Sequence, residues 1–229
     1  PFSFVQAVDA IGAWPPISES HLEMDGAWAL YEAWVKLQLG EIDSALVFAY
    51  GKSSSGTLRR IMTLQLDPFV LAPLWIDSVS IAALQARLLL EQTAHTEREM
   101  AEVVARSRRH ALSNPDAQLA GSPEVDELLA EPMFASPLRL HDFPPVSDGA
   151  AVVVLAAGDL ARQVCSRPAW IRGIDHRVEA HSLGVRDLTM SPSTRLAAER
   201  AGVGDDKVDV AELHAPFSHQ ELMLSEAMG

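Results

Sequence analysis

Cysteine is all but missing. Cys165 is the single one in 229 residues, in a loop-like stretch. One thiol cannot close an intramolecular disulfide. Basic residues are also scarce: 18 Lys and Arg stand against 31 Asp and Glu, a formal net charge of −13. Attraction to phosphates dominates nucleic-acid affinity, so nucleic acid is not an expected partner, and the same sign argues against an anionic membrane surface. No apolar run reaches the roughly 20 residues of a membrane span, and no signal peptide is present. A soluble, cytoplasmic protein is the expectation. There is no H-E-x-x-H pattern and no G-x-S-x-G turn, which leaves neither a zinc hydrolase nor a Ser-His-Asp hydrolase signature. His176/His181 and His214/His219 are i,i+5 pairs, which diverge on a helix, so no metal site is expected. Gly51-Lys52-Ser53 invites a phosphate-loop reading, but the required earlier glycine is replaced by Leu46.

What remains is a globular composition, 48% apolar and 21% charged, sufficient for one large or two small domains. Apolar spacing, caps and breakers predict helices over 2–12, 25–39, 77–90, 96–112, 123–130 and 191–201. Gly40 suits the position just past the second of these, where a left-handed backbone is wanted. Short apolar runs predict strands over 44–49 and 150–155, with a weaker one over 17–22. The 150–155 run is wholly apolar, which suits a strand covered on both faces. An apolar run before Glu212-Leu213-His214 predicts another strand. It would place an imidazole at a strand's C-terminal end, where open α/β sheets put their chemistry. A polar residue simply satisfied in a strand-to-helix turn is the plainer alternative.

Two segments then carry a resemblance. Ser147-Asp148-Gly149-Ala150-Ala151 is similar to the (S/T)-D-G-A-A strand of the thiolase superfamily, and Glu212-Leu213-His214-Ala215-Pro216-Phe217 to its E-L-H-D-x-F turn. Their order and separation match, with departures at Ala215 and Pro216. The flavour is that of sterol-carrier-protein-type thiolases and actinobacterial thiolase-like lipid-transfer proteins. The resemblance implies an α/β, layered αβαβα fold of two similar halves. Residues 1–165 would form the first half, with a helical loop-domain insertion over about 57–140, and 166–229 would begin the second. It also implies further segments before Pro1 and after Gly229, the latter bearing G-H-P and C-x-G motifs that do not occur in the chain.

The family places a nucleophilic Cys at the start of a long buried helix. Matching on Gly26 and the helix after it puts Glu23 at that position. A carboxylate cannot stand in for the thiolate, because it would form a reactive mixed anhydride in place of a thioester. Glu23 is left as a general base near a helix N-terminus or as a residue that caps the helix. His214 is implied to donate a hydrogen bond to a carbonyl oxygen, stabilising an enolate or oxyanion. The implied activity is on acyl-CoA thioesters in lipid or sterol metabolism: retro-aldol cleavage of a C–C bond, or acyl transfer. A degenerate, non-catalytic subunit that binds lipid or scaffolds a partner is the alternative. No bound cofactor is implied, CoA entering as part of the substrate. Arg59, Arg60, Arg106, Arg108 and Arg109 are candidates for the basic patch a CoA would need, or else line solvated helix faces. The apolar run Met62, Leu64, Leu66, Phe69, Val70, Leu71, Leu74, Trp75 and Ile76 reads as a wall for an acyl or sterol chain, or as irregular core or dimer contact. The family further implies a homodimer and a small OB-fold partner protein.

Overall fold

The computed structural model describes residues 9–12, 14–204 and 207–229. The helix expected over 2–12 lies largely outside them. Contacts divide the chain into two compact units, 1–49 with 151–166 and 50–150 with 167–229.

The first unit is built on α1 (Gly26–Gln38) and two strands, β1 (Ser44–Lys52) and β4 (Asp148–Ala156), which pair as a two-stranded sheet. Both strands run on past the unit's border. Asp25 caps α1, its carboxylate accepting from the Trp28 amide at 3.1 Å. Gly40 takes φ +70° just past the helix, as its position predicts. Ala33, Val47 and Leu155 form the buried centre, with Ala29, Leu30, Leu37 and Ala45 packed on it. The Ala157 amide donates to the Asp43 carbonyl at 2.8 Å.

Gly26 lies against β1 so closely that a Cβ added there would stand 2.8 Å from the Ala49 Cβ. No side chain fits without moving the helix. Gly26→Ala is therefore expected to destabilise the protein by about 1–3 kcal/mol, the usual cost of overpacking, although alanine has the better helix propensity. Urea denaturation checks this; a variant as stable as the parent would show that α1 shifts freely.

Two sequence expectations fail in this unit. The 17–22 segment forms no strand. The valines of β4 are not covered on both faces: Val152, Val153 and Val154 are 60%, 46% and 71% exposed. The pattern correctly marks a strand, but among the described residues β4 has one neighbouring strand, β1, in its sheet, and Leu155 is its residue in the buried cluster.

The second unit is mostly helical. Its elements are α2 (Leu58–Leu64), α3 (Ser78–Gln92), α4 (Glu97–Ala111), α5 (Val125–Ala130), a small antiparallel pair β2 (Met133–Ala135) and β3 (Leu138–Arg139), α7 (Pro192–Ala201) and α8 (Ser218–Met228). The short α6 (Gly158–Val164) belongs to the first unit. Ser191, read as a cap for α7, makes no side-chain capping bond, whereas α3 and α4 are capped. Asp77 accepts from the Ser80 amide at 2.8 Å, and Thr96 and Glu99 form a capping box at the head of α4. Val79, Ala82, Ala83 and Ala86 of α3 pack with Met100 and Leu138, and Phe143, Phe217 and Leu222 close over them. A second cluster joins Ala101, Val104 and Ala105 of α4 to Leu128 of α5. The alanine-rich faces of α3 and α4 give their neighbours close approach.

Candidate functional site

His214 is exposed and lies in an irregular stretch leading into α8, not at the end of a strand. A strand needs a ladder partner, and among the described residues none pairs with 207–217. Locally the turn is held by the Ala215 amide, which donates to the Leu213 carbonyl at 3.1 Å.

Phe217, Ser218 and His219, just beyond it, are firmly tied. The Phe217 ring lies 6.2 Å from that of Phe143, which lies 5.3 Å from Phe134. The Ser218 hydroxyl donates to Asp142 Oδ1 at 2.6 Å, and the Arg139 amide donates to Oδ2 of the same carboxylate at 2.6 Å. Arg139 also reaches Glu97 Oε2 at 2.7 Å and the Glu131 carbonyl at 3.1 Å. His141 Nδ1 stands 2.9 Å from Glu131 Oε2. His219, fully buried, sits 3.1 Å through Nε2 from Gln85 Oε1. Its Nδ1 is buried without a partner. Burial pushes its pKa down from 6.5 to about 4.

Glu23 belongs to the first unit, His214 to the second. Glu23 is exposed in a bend two residues before Asp25. The cap is Asp25, so helix capping is not the work of Glu23. Cys165 is exposed and follows the last residue of α6. Residues 1–25 contain no cysteine.

Asp148, part of the segment that resembles the (S/T)-D-G-A-A strand, has a definite job. Its carboxylate accepts from the Ser54 hydroxyl at 2.6 Å and the Ser54 amide at 2.9 Å. Those two bonds, the hydroxyl foremost, hold its pKa below the ordinary carboxylate value. The latch pins the loop after β1 beside a shallow cavity of about 520 Å³ lined by Ser54, Gly56, Thr57, Leu58, Arg59 and Val146. Asp148→Ala is expected to raise hydrogen exchange at the Ser54 amide by at least tenfold, because local opening governs protection. The depressed pKa fixes the pH dependence. The latch persists above the ordinary carboxylate range and is lost as pH falls below it. Unchanged Ser54 exchange in the variant would show that the loop holds itself.

Of the basic candidates, Arg59 pairs with Asp77 and lies over Phe134 at 5.2 Å, and Arg106 pairs with Glu221. Arg60 and Arg109 are exposed. The apolar stretch after α2 is open to solvent, Phe69 at 87% exposure being the extreme. Among the described residues no group of three or more His, Cys, Asp or Glu could hold a metal ion, and no helix is long and apolar enough to cross a membrane.

His219 is the residue that sequence reasoning passed over, having weighed it only for metal. The signal was its place four residues before Met223, which is also buried. That spacing puts an imidazole on the covered face of a helix.

No protein-family profile matches the chain. Over 152 residues it is 29% identical to the benzoylsuccinyl-CoA thiolase subunit BbsB of Thauera aromatica, covering 64% of this chain and 40% of that one. It is 30% identical over 155 residues to an acetyl-CoA acetyltransferase of Methanothermobacter thermautotrophicus, covering 66% and 40%. Human sterol carrier protein 2 is 24% identical across 89% of the chain and 41% of its own length. The chain thus spans about 40% of the length of these relatives. Among solved structures, an Ltp2-ChsH2(DUF35) aldolase superposes with a TM-score of 0.72 at 20% identity, covering 90% of this chain and 57% of that one. A monomeric SCP2-thiolase-like protein from Mycobacterium smegmatis gives 0.65 at 21% identity, covering 90% and 47%.

Proposed function

We propose, for a chain whose α/β fold is thiolase-like and whose relatives include thiolases and sterol carrier protein 2, that it serves an acyl-CoA thioester reaction that breaks a C–C bond without an acyl-enzyme. The observation that carries this is the missing thiol. Glu23 occupies the stretch before α1, while Cys165 lies exposed beyond α6. On the placement that the resemblance implies, the position before α1 offers a carboxylate where acyl transfer through a thioester intermediate would use a thiolate. Retro-aldol cleavage requires only a base and an oxygen-holding donor, and a structural neighbour bears the name aldolase.

The step balances as follows. A base takes the hydroxyl proton of a 3-hydroxyacyl-CoA, and the freed oxygen pair forms a carbonyl at the β carbon. The Cα–Cβ pair moves into the thioester as an enolate. A proton returned to Cα releases a shortened acyl-CoA and an aldehyde or ketone. His214 is assigned the enolate oxygen, which its ring N–H can hold. Glu23 is the carboxylate that the resemblance offers as base. CoA enters with the substrate, and no other cofactor is invoked. A homodimer and a small OB-fold partner belong to the same proposal.

A second reading is a subunit that binds lipid or acyl-CoA without turnover, favoured by the exposure of both Glu23 and His214 and by the sterol-carrier relatives. One experiment separates them. Full-length protein is incubated with a panel of 3-hydroxyacyl-CoA esters and, separately, with acetoacetyl-CoA and free CoA, and products are followed by mass spectrometry. Carbonyl product from the first set supports cleavage, and acetyl-CoA from the second supports acyl transfer. Binding with no product from either sinks the catalytic reading.

A further inference from the structure

The start of α8 is anchored through three consecutive side chains, two to the neighbouring residues 142 and 143 and one to α3. Phe217 meets Phe143, Ser218 meets Asp142, and His219 meets Gln85. The last of these is chemically odd. Gln85 is buried on α3, and its Nε2 lies 3.1 Å from the Leu188 carbonyl, which can only accept. The same Nε2 also faces Met223 Sδ at 3.8 Å. That fixes the amide with Oε1 toward His219, so Nε2 of the imidazole must carry the hydrogen and donate. Gln220 Nε2 donates to the same oxygen at 3.2 Å. With Nε2 protonated, Nδ1 of the neutral ring is a bare acceptor in a buried place without a partner. A leucine would fill this space without leaving a polar atom unsatisfied. What a leucine lacks is a donor of fixed direction, on a ring whose centroid stands 5.9 Å from that of Phe217 with the two planes tilted by 42°.

We propose that His219 is a positioning residue: through Gln85 and Phe217 it sets the backbone entering α8, and so the direction in which the turn presents His214. This rests on the reading of His214 as the oxygen-holding residue. Among the described residues, the backbone bond within the turn itself runs from Ala215 to Leu213. A small misplacement of a catalytic donor costs rate far more than affinity.

The test uses full-length protein carrying His219→Leu, His219→Gln or Gln85→Leu, with His214→Ala as reference. Glutamine keeps a donating nitrogen near the Nε2 position; leucine does not. On the 3-hydroxyacyl-CoA found to be cleaved, His219→Leu and Gln85→Leu should lower kcat about 10- to 100-fold, with KM moving less than about threefold. His219→Gln should return kcat to within about threefold. The ring signals of His214 in 1H–15N spectra, which need no substrate, should shift in the leucine variants and return in His219→Gln. If His219→Leu does not fold, the contrast between Gln85→Leu and His219→Gln carries the test. The proposal is overturned if the leucine variants melt earlier but keep wild-type kcat and His214 signals, or if glutamine rescues nothing. Full activity in His214→Ala would instead defeat the assignment of His214 itself, and the ring spectra would still report whether His219 orients the turn.

Discussion

His214→Ala will lower kcat/KM for cleavage of a 3-hydroxyacyl-CoA by about 100- to 1000-fold, the range seen when one oxyanion-stabilising donor is removed. The reason is differential. The thioester oxygen carries little charge in the bound substrate and nearly a full one in the enolate, so the lost bond matters most at the transition state. The fall should therefore appear chiefly in kcat, with KM changed little. His214→Gln, which retains an N–H, should recover part of the loss. The residue is exposed in an irregular turn, so the change to alanine leaves no cavity, and the melting temperature should stay within a degree or two of the parent. Steady-state kinetics beside a thermal melt decide it. A drop in KM-side affinity alone would make His214 a binding contact.

The second large effect is on stability and comes from His219. Its pKa in the folded protein is pushed down from 6.5 to about 4 by burial. A depressed folded-state value means the unfolded chain binds the proton first. The ring's contribution is thus fully present above pH 6.5 and is lost as pH falls toward 4, where the folded ring finally protonates. Across that window the protein should lose on the order of 3 kcal/mol from this one group. His219→Gln cannot titrate, so its stability should be nearly flat over the same interval. The carboxylates with lowered pKa, such as Asp148 and Asp187, give way only below the ordinary carboxylate range, which separates the two stages. Urea midpoints taken from pH 7 to pH 4 test this. A parent curve as flat as that of His219→Gln would mean that water reaches the ring.

What could be read from the residues was what local chemistry decides. Gly40 closes one helix as expected, and the helices expected from 25, 77, 96, 123 and 191 begin within a residue or two of those positions. The two segments that carry the thiolase resemblance, around Asp148-Gly149 and Leu213-His214, could be read because both are short and fall in order. What depended on distant partners was not. The valines of β4 look the same whether a sheet covers them or not. The approach to His214 has the composition of a strand, but a strand exists only if another lies beside it. Asp142 and Ser218 stand 76 residues apart and meet at 2.6 Å, and nothing in either neighbourhood hints at the other. His219 needed only a helical count from Met223 to be recognised as buried, but its proximity to a more conspicuous histidine drew the reading elsewhere.

The contact between Gly26 and Ala49 has one more consequence. Because a Cβ at Gly26 would stand 2.8 Å from the Ala49 Cβ, the two positions cannot vary independently. Room made on the strand by Ala49→Gly should admit an alanine on the helix, so the double change ought to cost less than the two single changes added together, with a coupling of about 0.5–3 kcal/mol. Across a set of related sequences this pair would then exchange in concert: small with larger, or larger with small. The helix that follows Glu23 is thereby kept in register with the first strand by a rule of combined volume, one that a substitution table for either position alone would miss.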